Sequence, residues 1–123
     1  ESLKDSKAVT LVVDQNDTSA IEALANADGP FDVIIDDGSH FTKETKNCFD
    51  TLWKYVKVGG MYIIEDWVVG IKMRGNENID YAKKTEGMDE LVFNIASRKV
   101  ELGINALEIS VKKNWQSYAV FEK

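Results

Sequence analysis

Residues 31–66, FDVIIDDGSHFTKETKNCFDTLWKYVKVGGMYIIED, read as strand, helix and strand, and this unit decides the fold. FDVIID (31–36) and MYII (61–64) are apolar, β-branched runs of strand length. Their near-continuous apolar character suits strands covered on both faces, as in parallel sheets. Gly38 turns the chain out of the earlier strand into a helix expected over residues 42–55. In that helix Cys48, Phe49, Leu52, Trp53 and Val56 recur at helical spacing. Gly59-Gly60 then reads as a turn into the later strand, since a phosphate-cradling loop precedes a helix and this pair does not.

Upstream, AVTLVV (8–13) reads as another strand, followed by a helix that Asp17, Thr18 or Ser19 could cap. Ser19 and Glu22 stand at capping-box spacing, and Ala20, Ile21, Leu24 and Ala25 give that helix one apolar face. Gly29 and Pro30 stop it. Downstream, residues 67–88 read as a long, mobile excursion containing Gly70, Gly75 and Gly87. A helix over 89–102 follows, with Leu91, Val92, Ile95 and Ala96 inward. Two short runs, 107–111 and 118–121, joined by a polar link, read as an antiparallel pair. The class is α/β, a single domain with an antiparallel closing hairpin.

Composition narrows the function. The chain has 123 residues, one domain's worth, with no repeats or Pro-rich linker. Its net charge of −6 argues against a surface that tracks phosphates, so nucleic acid is not the expected partner. Cys48 is the only cysteine, which rules out an intrachain disulfide or a cysteine zinc cluster and suits a reducing cytoplasm. No apolar run approaches the roughly 20 residues of a membrane-spanning helix, so no membrane partner is expected.

The chemistry collects at the carboxyl ends of the two central strands, where Asp36-Asp37 and Glu65-Asp66 stand. Neighbouring strands lie about 4.8 Å apart, so acids at both ends converge. The carboxyl edge is where open α/β sheets bind ligands. Converging carboxylates repel one another unless protons or a cation neutralise them, and oxygen donors favour a hard ion such as Mg²⁺. The plainer reading is that these acids end strands and face water; the doubled pair and the neighbouring histidine weigh against it. His40, the chain's single histidine, is suited to taking a proton near neutral pH; equally, it or Ser39 could simply help begin the helix. Trp53 and Trp67 could be core or pocket wall, Trp67 being the better pocket candidate because it follows the acids directly. Lys72, Arg74, Lys83 and Lys84 fit a solvated loop surface better than an anion site.

GPFDVIIDDGSH (29–40), an amphipathic helix, and VGGMYIIEDW (58–67) together resemble the class I S-adenosylmethionine-dependent methyltransferases. Within them the resemblance is to the metal-dependent sugar O-methyltransferases of macrolide biosynthesis and their cephalosporin-pathway and rhamnosyl relatives. It runs from about Val9 to Trp67, and more weakly through the last helix and hairpin. The resemblance implies a Rossmann-like sheet, mostly parallel, with an antiparallel carboxyl-terminal strand pair. It implies that Asp37, Glu65 and Asp66 hold a divalent cation, Mg²⁺ or another hard ion, and that His40 is the base for the acceptor hydroxyl. Asp14 and Gln15 would border the adenosine of S-adenosylmethionine, and Asp36 would face its methionine end. The acceptor would be the hydroxyl of a sugar or similar small molecule, and residues 67–88 would take the place of a substrate-covering loop.

The same resemblance implies missing parts. No GxG occurs anywhere, and the first two strands of that fold have no counterpart here. The chain therefore reads as the carboxyl-terminal half of a methyltransferase domain, expected to bind cofactor poorly alone. Its raw sheet edge would invite pairing with a second copy. Two rival readings follow. An inactive folded fragment could serve as an interaction module or dimer. A receiver-like signalling domain has similar size and acidity, but its acid pair should follow the first strand and a Lys-Pro the last, and Pro30 is the sole proline.

Overall fold

The computed structural model describes residues 9–74 and 77–123. In chain order the elements are α1 (Thr18–Asp28), β1 (Phe31–Asp36), α2 (Thr42–Leu52) and a single 3-10 turn (Trp53–Tyr55). There follow β2 (Val56–Glu65), α3 (Val69–Lys72), α4 (Ile79–Thr85), α5 (Met88–Ser97), α6 (Lys99–Leu102), β3 (Ala106–Val111) and β4 (Ser117–Glu122). Asp17 proves to be the cap of α1, its carboxylate accepting from Ala20 N at 2.9 Å. Glu22 takes no part in a capping box; it pairs with Lys54 of the 3-10 turn.

Among the described residues the strands form one mixed sheet in the order β1-β2-β4-β3. β1 and β2 are parallel, joined by α2, while β2–β4 and β4–β3 are antiparallel, as the closing hairpin requires. Gly59 and Gly60 lie inside β2 rather than in a turn before it. Phe31 is level with Val56 and Val33 with Met61, so five residues of β2 answer to two of β1. Gly59 takes φ +79° in this bulge. A Cβ on Gly60 would stand 2.6 Å from the Asp32 carbonyl oxygen. The bulge is pinned from the far side by Gly59 N–H donating to Lys123 O (2.7 Å) and Lys123 N–H to Gly60 O (2.9 Å).

One face of the sheet carries the core. Tyr62 and Ile64 of β2 and Ala119 and Phe121 of β4 meet Phe49 and Trp53 on one side and Met88, Val92 and Ile95 on the other. Phe49 is the hub: it stacks on Trp53 (5.4 Å between ring centres) and meets Tyr62 and Phe121 edge to face at 5.1 and 5.8 Å. Trp53 also donates its indole N–H to Leu102 O at 2.9 Å; it belongs to the buried core and does not line the site at the strand ends. The opposite face is not covered to the same degree, contrary to the reading of 31–36 as doubly buried: Val33 and Ile35 are 48% and 57% exposed.

Two further expectations are corrected. Residues 9–13 form no strand, and Val12 is fully exposed; Ala8 lies outside the described residues. A β-branched run makes a strand only where another strand accepts its backbone hydrogen bonds, and no strand among the described residues pairs with it. Residues 67–88 are not a loose excursion, although Gly75 lies outside the described residues. Trp67, Val68, Thr85 and Met88 are buried. Gly70 packs so close to α4 that a Cβ would stand 2.3 Å from the Thr85 carbonyl oxygen. The helix expected over 89–102 is broken at Arg98 into α5 and α6, and Gly103 at φ +66° ends it.

Cys48 is buried, and loss of hydration is the main reason its thiol is pushed up to about 11. No helix among the described residues is long and apolar enough to cross a membrane.

Phe49→Ala should cost about 3–5 kcal/mol in urea unfolding, because a large hole opens among the three remaining rings. Val12→Ala should change stability by less than about 0.5 kcal/mol, as its side chain touches water only.

Candidate metal centre

The parallel register sets Asp36 level with Ile64, so the residues just past each strand end meet. Asp37 follows β1 in extended alignment, and His40 comes back over it through the Gly38-Ser39 turn. His40 adopts φ +56° and Asp66 φ +50°. These left-handed turns aim both side chains at the same point, and His40 Nε2 lies 3.6 Å from Asp37 Oδ1. Asp37, His40 and Asp66 each offer a ligand atom within 4.8 Å of the other two. Two carboxylates and an imidazole at this spacing suit a divalent cation whose remaining positions are filled by water or a substrate oxygen. His40 does not cap α2. Phe41 precedes the helix without a side-chain cap, and it is Ser39 Oγ that accepts from Phe41 N at 3.3 Å.

Glu65 is not part of this group. As the last residue of β2 it points to the half-exposed face with Ile63 and stands level with Tyr118 of β4. Successive strand residues alternate faces, so a Glu and an Asp adjacent in sequence go opposite ways unless the chain turns between them. Asp66 therefore leaves the side that Glu65 takes, and its left-handed backbone brings its carboxylate to Asp37 and His40.

Asp36 and Gln15 come together behind the trio. Asp36 is buried and accepts from Tyr62 OH and from Gln15 Nε2, both at 3.2 Å. Burial drives its carboxyl above the ordinary range, opposed by these hydrogen bonds and one from Gly38 N–H. Gln15 Oε1 in turn accepts from Ser39 N at 2.9 Å, so it holds the turn that carries His40. The two line an open groove with Asp37, Cys48 and Tyr62. Asp14 stands apart from them: it is exposed, and its carboxylate accepts from Asn16 N at 2.8 Å in its own turn.

On the other side of the trio is a cleft of about 380 Å³. His40 and Asp66 line it, with Val68, Met73, Tyr81 and Trp115. Lys72 also faces this cleft, whereas Arg74 pairs with Asp89 (3.0 Å) and Lys84 lies over the Phe41 ring (5.0 Å). Trp67 is not in the cleft; it is 3% exposed and packs edge to face on Phe93 at 5.8 Å. The tryptophan that reaches the cleft is Trp115, in a hairpin link that reads simply as polar. A large aromatic among Lys, Asn and Gln at a turn, with no apolar neighbour to pack on, was the available signal.

No family model matches this chain. It is 43% identical over 63 residues to the demethylmacrocin O-methyltransferase of Streptomyces fradiae, a match that takes in 51% of this chain and 16% of that protein. It is 44% identical over 57 residues to the mycinamicin VI 2''-O-methyltransferase of Micromonospora griseorubida, over 46% of this chain and 14% of the relative. Its fold matches that of the MycE methyltransferase from the mycinamycin biosynthetic pathway in complex with Mg, SAH and mycinamycin VI. That likeness has a TM-score of 0.70 and 26% identity, covering 94% of this chain and 31% of the other. The chain thus resembles macrolide-sugar O-methyltransferases while spanning about a sixth of the first relative's length and under a third of the solved structure.

Titration with Mn²⁺, followed by electron paramagnetic resonance, should show single-site binding. Asp37→Ala and Asp66→Ala should each weaken it by about tenfold or more, as loss of a ligand must exceed loss of a supporting group. Glu65→Ala should weaken it by no more than about threefold, the effect of a nearby unbound charge in water.

Proposed function

We propose that this chain forms the metal- and base-bearing part of an S-adenosylmethionine-dependent O-methyltransferase acting on a hydroxyl of a sugar or similar small molecule. The observation that carries the reading is the convergence of Asp37, His40 and Asp66 at the ends of two parallel strands. The likeness to O-methyltransferases of macrolide sugars, and to a fold solved with Mg and SAH, supports it. Asp37 and Asp66 would hold the divalent cation. Glu65, a ligand in the reading from sequence, is assigned a lesser part: it sits beside the ion's site and contributes charge.

When bound, the cation supplies Lewis-acid polarisation of the acceptor hydroxyl, and S-adenosylmethionine supplies an electrophilic methyl group. His40 accepts the hydroxyl proton at a ring nitrogen. Asp37, whose carboxylate lies 3.6 Å from His40 Nε2, stabilises the imidazolium that results. Gln15, bonded to both Asp36 and the Ser39 amide, keeps the His40 turn from drifting. Asp36 and Gln15 face the groove proposed for the methionine end of the cofactor. The cleft on the opposite side is assigned to the acceptor. Such an arrangement gains most of its rate from holding nucleophile and methyl in line.

The test is transfer of labelled methyl from S-adenosylmethionine to a 6-deoxyhexosyl macrolide by the protein that carries this chain. Turnover should need a divalent cation and stop with EDTA. His40→Ala should lower kcat by about 10²–10⁴-fold, the usual worth of a general base. Turnover that survives both treatments contradicts the proposal.

A further inference from the structure

Among the described residues, three that are not glycine have positive φ: His40, Asp66 and Trp115. All three line the same cleft. For His and Asp this backbone is uncommon; for a residue as bulky as Trp it is an outlier, in a turn where glycine would be free of the penalty. Such strain persists where the surrounding structure over-determines it, and it clusters at functional sites. Trp115 is not compensated by burial in the core. It is 51% exposed and its indole makes no hydrogen bond or ring contact among the described residues.

The turn is held firmly all the same. Lys112 N–H donates to Gln116 O (2.8 Å) and Trp115 N–H to Lys112 O (2.9 Å). Two residues on, Ser117 fixes the base of the hairpin to the metal centre. Its carbonyl accepts from Asp66 N (2.7 Å) and its hydroxyl from Val68 N (3.1 Å). The indole is therefore presented at a set distance from the trio, on the cleft side. The groove lined by Gln15 and Asp36 is separate and does not include Trp115.

We infer that Trp115 is a specificity-determining platform that stacks on the C–H face of a deoxyhexose acceptor while the hydroxyl edge of the sugar meets Asp37, His40 and Asp66. This rests on the methyltransferase reading above. An aromatic face is electron-rich and a sugar's C–H face is weakly positive, so the two attract. The apolar side chains of Val69 and Met73 in the same cleft suit a sugar that has lost a hydroxyl.

Tryptophan fluorescence gives a direct test, because Trp53 and Trp67 are buried and only Trp115 can touch a ligand. The chain is titrated with methyl α-L-rhamnopyranoside in the presence of Mg²⁺, and Mn²⁺ binding is measured in parallel. A saturable emission change is expected, absent in Trp115→Phe. By calorimetry Trp115→Ala should bind the glycoside about tenfold more weakly, with Trp115→Phe in between. Mn²⁺ affinity should stay within about twofold in both. Trp115→Gly should lose glycoside binding yet melt no lower than the parent, since glycine relieves the backbone; a purely structural residue would lower the melting point. Unchanged glycoside affinity in Trp115→Ala, with Mn²⁺ binding intact, overturns the platform and leaves the metal reading standing. A parent chain that binds neither Mn²⁺ nor glycoside overturns the metal reading and the platform with it.

Discussion

Everything at the candidate site depends on the parallel pairing that sets Asp36 level with Ile64. Without it, Asp37 and Asp66 would end on different levels of the sheet and could not share an ion. The pairing is not set by the strands alone. Five residues of β2 run past two of β1 at the Gly59-Gly60 bulge, and only after it does the register lock through Val33–Met61 to Asp36–Ile64. Gly60 is needed there because the Asp32 carbonyl oxygen occupies the space of a Cβ. Lys123, just past β4, closes the bulge from that side by exchanging hydrogen bonds with both glycines. A feature at one end of β2 thus decides which carboxylates meet at the other.

The core and the site share the same face-alternation. Tyr62 and Ile64 go into the aromatic cluster around Phe49, and Tyr62 also reaches forward to hydrogen-bond Asp36. Burial of Asp36 is tolerated because it accepts from Tyr62, Gln15 and Gly38, although desolvation still raises its carboxyl above the usual range. The rigid packing therefore extends directly into the turn that carries His40. Asp66 is tied in the same way by Ser117 on β4. The two candidate ligands and the candidate base come from two turns, each hydrogen-bonded to a strand residue, which is the support a preorganised site requires.

Most of the fold was legible in the sequence because apolar runs and helical spacing report burial directly. That sufficed for β1, β2, α2 and the closing hairpin. It failed at 9–13, where composition favours a strand but no strand among the described residues pairs with it, since a strand is a property of a pair and not of a segment. It failed again at 67–88, where glycines read as looseness; Gly70 is in fact a point of close packing against Thr85. At the site, type and spacing bring both acidic pairs and His40 to the carboxyl ends of two strands; that Asp37, His40 and Asp66 converge without Glu65 depends on register and on the left-handed backbone at His40 and Asp66, which no composition reveals. Trp115 escaped notice because its turn is polar on both sides and its strain is visible only in coordinates.

The central claim is that one cation is held by Asp37 and Asp66 beside His40, with Glu65 on the opposite face. The most direct measurement is a crystal of the chain soaked with Mn²⁺, with data collected near the manganese absorption edge. The account predicts an anomalous peak within bonding distance of both Asp37 and Asp66 and on the His40 side of β2. A peak coordinated by Glu65 on the Ile63 face, or none among these residues at saturating Mn²⁺, would contradict it.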